Sequence, residues 1–97
     1  MKLLELLNSG KLSILQKSHI VRFMDGHSQD DCMMGRAELR KARITLGKDM
    51  PPDVQEETGL HEILHIISDS LELKLKENQI GVLSTGLYSF LKENNLI

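Results

Sequence analysis

Hydrophobic and polar positions divide the chain into an early part that alternates over short lengths and a later part that repeats every three to four residues. Residues 2–8 are Leu-rich and stop at Gly10, which predicts a short opening helix. Residues 11–15 and 19–24 alternate or run apolar, with β-branched Ile20 and Val21 in the second segment. They predict two strands around a Gln16-Lys17-Ser18 turn. Residues 25–31 are a polar loop that lacks the alternating Asp/Asn ligands and terminal Glu of a calcium loop. Residues 33–39 and 41–46 predict a hairpin turning near Arg40. In its second strand Ile44 and Leu46 share one face, and Arg43 and Thr45 the other.

After a loop, Pro51 and Pro52 prepare a helix start, and the first long helix is predicted over 53–70. Gly59 in its interior costs about 1 kcal/mol relative to Ala. A connection, 71–76, leads to a second helix over 77–94. Strands first and two helices last make an α+β pattern: a small, largely antiparallel sheet followed by two packed helices on one face. The length, 97 residues, fits a single domain spanning 1–97.

The helical stripes locate the candidate chemistry. Leu60, Ile63, Leu64, Ile67 and Leu71 form the predicted apolar stripe of the first helix, and Ile80, Leu83, Leu87, Phe90 and Leu91 that of the second. His61-Glu62-Ile63-Leu64-His65 points away from the centre of the first stripe and matches the two-histidine zinc pattern with an intervening glutamate. Residues four apart differ by about 40° around a helix and sit one turn apart, so two imidazoles so placed reach one ion. Glu62 lies about 60° further round than His65. That is too far for an easy third ligand, but within reach of a water on the metal. Zinc lowers the pKa of such a water to about 7. Glu62 would take its proton as it attacks a peptide carbonyl, and pass a proton to the leaving amine.

A catalytic zinc needs a third protein ligand. Glu72 ends the first helix and lies past easy reach. Glu77 opens the second helix on the flank of its stripe, where the two helices fold back on each other, and is the chosen candidate. A helix-start carboxylate is also what the macrodipole favours without any metal. His19 and His27 are the fallback nitrogen ligands.

Charge and cysteine content narrow the function classes. Twelve basic and 14 acidic residues give a net charge of −2, which does not suggest a polyanion binder. The basic cluster Arg36, Arg40, Lys41 and Arg43 reads as a solvated hairpin, with only Phe23 as an aromatic neighbour on the strands, so no nucleic-acid partner is expected. Cys32 is the only cysteine, so no internal disulfide forms. The opening apolar run is short and broken by Glu5, unlike a signal peptide. No segment approaches the roughly 20 apolar residues of a membrane span. A soluble, cytoplasmic protein is expected, without a membrane partner. Its oligomeric state stays open.

Several segments together resemble a known family: Ile44-Thr45-Leu46, then Glu57-Thr58-Gly59-Leu60-His61-Glu62-Ile63-Leu64-His65-Ile66-Ile67, then Leu83-Ser84-Thr85-Gly86-Leu87-Tyr88 and Leu91-Lys92-Glu93-Asn94. They look like the small zincin-like proteins of phages and prophages of Gram-positive bacteria. These are similar in turn to minimal gluzincins and to the metallopeptidases of mobile elements that cut immunity repressors. The likeness spans roughly residues 11 to 95. It implies a zincin-like fold, zinc held by His61, His65 and a glutamate of the next helix (where Glu77 falls), Glu62 as catalytic base, and a strand beside the cleft that pairs with an extended substrate. Gly59 departs from the larger apolar residue usual there, and Lys76-Glu77-Asn78-Gln79 lacks the usual doubled acid. The expected function is therefore that of a zinc metallopeptidase acting on a protein or peptide. The alternative is a non-catalytic zincin-fold module that acts by binding a protein partner.

Overall fold

A computed structural model describes residues 2–24, 35–38 and 42–97. The elements run α1 (Leu3–Asn8), β1 (Lys11–Ile14), β2 (Lys17–Met24), β3 (Gly35–Glu38), β4 (Arg43–Gly47), α2 (Pro52–Ser70) and α3 (Glu77–Glu93). The α+β class and both long helices follow the sequence closely. The expected loop 25–31, with His27, and the hairpin tip at Arg40 and Lys41 lie outside the described residues.

The sheet order is β1-β2-β4-β3. β1 pairs antiparallel with β2, β3 antiparallel with β4, and β2 parallel with β4. The sheet is thus largely antiparallel, with one parallel pair at its centre. β4 lies between two partners, and its Ile44, Thr45 and Leu46 are all buried. Alternation puts Thr45 opposite Ile44 and Leu46, and it too is buried, between its strand neighbours, although Ile20 and Arg22 of β2 on that face are exposed.

The first hairpin turns earlier than the sequence suggests. Ile14 pairs with Lys17 across a two-residue turn in which Leu15 (φ 51°) and Gln16 (φ 67°) are both left-handed. Two positive φ values match the right-handed twist of the flanking strands, a geometry that Asn-Gly normally signals. Leu-Gln carries no such signal, so the sequence places the turn one residue later, at 16–18.

The core gathers Leu7, Leu12, Ile14, Val21, Ile44, Leu46 and Ile66 from α1, the sheet and α2. α1 reaches α2 at one tight point. A Cβ built on Gly59 would lie 2.6 Å from Cδ1 and 3.0 Å from Cδ2 of Leu7, and Leu7 is fully buried. The missing side chain at Gly59 therefore makes room for Leu7, which offsets the helix-propensity cost of a mid-helix glycine.

The predicted stripes shift when the packing is seen. On α2 the buried residues include Glu56, Gly59, Leu60, Glu62, Ile66 and Ser68, whereas Leu71 is exposed. This helix is covered by α1, the sheet and α3, so its buried arc is wider than one stripe. On α3 the buried residues are Ile80 and Ser84, and Leu83 and Phe90 are exposed. Among the described elements α3 packs chiefly against α2, so only a narrow arc is covered.

Polar clamps fasten the two helices. Glu56 is buried, and its Oε1 accepts from Tyr88 Oη at 3.0 Å and Lys92 Nζ at 3.2 Å. Thr85 Oγ1 donates to Glu57 Oε2 at 3.3 Å. Burial, then the hydrogen bond and charge of Glu56, push the Tyr88 phenol up from 10.0 to about 12. A raised pKa means that the contribution of Tyr88 to stability is complete below its unfolded value, near 10, and is lost as pH rises through about 12. Tyr88 is the only tyrosine and the chain has no tryptophan, so tyrosinate absorbance reads it directly. The expected midpoint is about 12, falling part of the way back in Glu56→Gln. A wild-type midpoint near 10 while circular dichroism still reports the fold would refute the clamp.

Candidate metal centre

Two features of the chain aim the site. The first is the helical register of α2, which puts His61 and His65 one turn apart on a half-buried side; their side chains are 22% and 28% exposed. The second is the end of α2. Leu73 N–H donates to Ser68 O at 2.9 Å and Glu72 N–H to Asp69 O at 3.1 Å, with Glu72 left-handed at φ 56°. This pair of bonds is the Schellman termination. The buried Ser68 also accepts, through Oγ, the N–H of Leu75 at 3.2 Å. Lys76 N–H then donates to Gln79 Oε1 at 2.8 Å, satisfying a free donor at the start of α3. The link 71–76 is thereby bound at both ends, and the first residue of α3 is delivered beside the histidines.

That residue is Glu77. Its Oε1 lies 2.8 Å from His61 Nε2 and its Oε2 2.7 Å from His65 Nε2. The two Nε2 atoms are 3.2 Å apart. The ligand atoms of His61, His65 and Glu77 all lie within 4.8 Å of one another. Burial alone would raise the Glu77 carboxyl, but its hydrogen bond with His61 and the charges of His65 and His61 outweigh this and hold it below 4.5. Glu77 remains largely exposed, at 72%, so the cluster has an open side.

Two nitrogens and a carboxylate oxygen are the donor set of a catalytic zinc. At metal–ligand lengths of about 2.0–2.2 Å, tetrahedral donors sit roughly 3.3–3.6 Å apart. The observed separations need to widen by less than about 1 Å to reach that. The donor types and spacing are compatible with such an ion, and the same distances are those of direct hydrogen bonds between Glu77 and the two histidines.

The sequence-derived set thus divides as follows. His61, His65 and Glu77 are brought together. Glu62 is on the same helix, 7% exposed, and is not one of the convergent donors. His19 is buried in β2 with Nδ1 2.8 Å from Lys17 O, and does not join the cluster. Glu72 is occupied in ending α2. His27 lies outside the described residues. Sequence reasoning missed Ser84. Its Oγ lies 3.4 Å from His61 Nδ1 and donates to Gly81 O at 3.1 Å. A serine amid apolar α3 positions, about two turns beyond Glu77, was the available signal. Comparison with protein-family models, curated proteins and solved structures finds no match for the chain.

Proposed function

We propose that the chain is a zinc-dependent metallopeptidase of the zincin-like kind carried by phages and prophages, cleaving a protein or peptide in the cytoplasm. The observation that carries this reading is the convergence of His61 Nε2, His65 Nε2 and the Glu77 carboxylate from two helices onto one point. Zinc in such a site acts as a Lewis acid, lowering the pKa of water and polarising the scissile carbonyl. His61 and His65 would hold the ion through Nε2, and Glu77 would supply the negative charge that favours a cation there. Glu62 takes a proton on its carboxylate from the attacking water and returns it to the leaving amine. Among the described strands β3 is the outer one on the side of β4, and its outer edge is the proposed place for an extended substrate to pair. No helix among the described residues is long and apolar enough to cross a membrane, which agrees with a soluble workplace.

The test is elemental analysis of protein purified without chelator, joined to a peptide-library digest read by mass spectrometry. One zinc per chain is expected in the wild type and none in His65→Ala, with cleavage only in the zinc-loaded wild type. Failure to bind zinc at saturation defeats the metal reading. Stoichiometric zinc with no cleavage defeats the enzyme and leaves the protein-binding module.

A further inference from the structure

We infer that Ser84 is the positioning residue for the metal centre: its hydroxyl holds the His61 ring in the tautomer and orientation that leave Nε2 bare for the ion. The inference rests on the zinc reading above and adds to it a residue outside the ligand set.

A histidine binds a metal through a nitrogen that carries no proton, so the proton must sit on the other nitrogen. Metal-bound histidines almost always donate that second N–H to an oxygen, which fixes the ring and raises its basicity. For His61 the nitrogen facing the cluster is Nε2, at 2.8 Å from Glu77 and 3.2 Å from His65. Its Nδ1 faces the other way, into the α2–α3 interface, where Ser84 Oγ lies at 3.4 Å. Ser84 is 2% exposed, so bulk water does not compete for this contact.

The direction of the bond follows from the next partner. Ser84 has one hydroxyl proton. A carbonyl oxygen only accepts, and Gly81 O lies 3.1 Å from Ser84 Oγ. With the proton committed to Gly81 O, the hydroxyl offers His61 a lone pair. The relay then reads His61 Nδ1–H to Ser84 Oγ, and Ser84 O–H to Gly81 O. At 3.4 Å the first bond is long for N–H···O, so its effect is on orientation and tautomer more than on gross stability. Gly81 contributes a second fitting detail. A Cβ there would sit 3.9 Å from Cε1 of His61, so α3 lies against the ring itself at this point.

The neighbouring Thr85 supplies a control. Its Oγ1 lies 3.0 Å from the same Gly81 O and 3.3 Å from Glu57 Oε2, two acceptors that share its one proton, and it does not contact His61. Both hydroxyls bond back to the helix, and only one touches a ligand.

The experiment measures zinc affinity by chelator competition for wild type, Ser84→Ala and Thr85→Ala. Apo melting and a long-range proton–nitrogen spectrum of the zinc-loaded His61 ring are recorded alongside. Ser84→Ala is expected to bind zinc about 10–100-fold more weakly, with the spectrum showing loss of exclusive Nε2 ligation and with unchanged apo melting. Thr85→Ala is expected to keep wild-type affinity. Should Ser84→Ala fail to fold, Ser84→Gly carries the same expectation for affinity and ring ligation. Wild-type affinity and pure Nε2 ligation in the Ser84 variant overturn the inference, as does an equal loss in Thr85→Ala. A wild type that takes no zinc overturns the metal reading itself, a distinct result.

Discussion

Glu62→Gln is expected to lower kcat/KM by about 10²–10⁴-fold while leaving zinc content at the wild-type level. Glutamine keeps the size and hydrogen-bonding reach of the side chain but has no basic oxygen to take a proton. Glu62 is not one of the three donors that converge on the candidate site, so its replacement removes proton transfer and not metal retention. The comparison is made at matched zinc occupancy, with thermal melts confirming that both proteins are folded. Since Glu62 is buried, a destabilised variant is distinguished by its melt. Equal turnover in the two proteins would move the base elsewhere. Loss of zinc together with turnover would recast Glu62 as a ligand or a structural carboxylate.

The second large effect concerns stability. Leu7→Ala is expected to cost about 2–5 kcal/mol in a urea melt, a substantial share of the roughly 5–15 kcal/mol typical of a domain. Leu7 is fully buried and sits in the space that Gly59 leaves open. Truncating it opens a cavity where α1 meets α2, two residues before His61. Adding Gly59→Ala to Leu7→Ala should recover part of the loss, because the new methyl enters the vacated space and alanine favours the helix by about 1 kcal/mol. Gly59→Ala alone gains the same propensity but drives its Cβ against Leu7, so the pair is non-additive. A cost below about 1 kcal/mol for Leu7→Ala would mean that α1 contributes little to the core.

These two cases also show what was legible in the chain. The long helices were readable because their cues are local: Pro52 opens α2, and apolar residues recur every three to four positions along both helices. The histidine pair was readable for the same reason, since a spacing of four on a helix is a geometric statement in itself. Glu77 needed one further step, that the link 71–76 folds the helices back, and its carboxylate does lie beside both histidines. What escaped depended on partners distant in sequence. Gly59 looked like a weakness until Leu7, 52 positions earlier, was seen to occupy its space. Leu83 and Phe90 looked buried by periodicity, yet a helix packed chiefly on one described neighbour covers only a narrow arc. The Leu15-Gln16 turn escaped because sheet twist imposed a backbone that those residue types do not announce.

The link between α2 and α3 has a mechanical consequence. Glu72 and Lys74 both hold left-handed backbone, at φ 56° and 57°, where a side chain costs about 1–2 kcal/mol and glycine almost nothing. Non-glycine residues sample far less of conformational space than glycine would at the same positions. The link is therefore a spacer whose length and direction are set by its own backbone bends, and it fixes where the backbone of Glu77 begins α3.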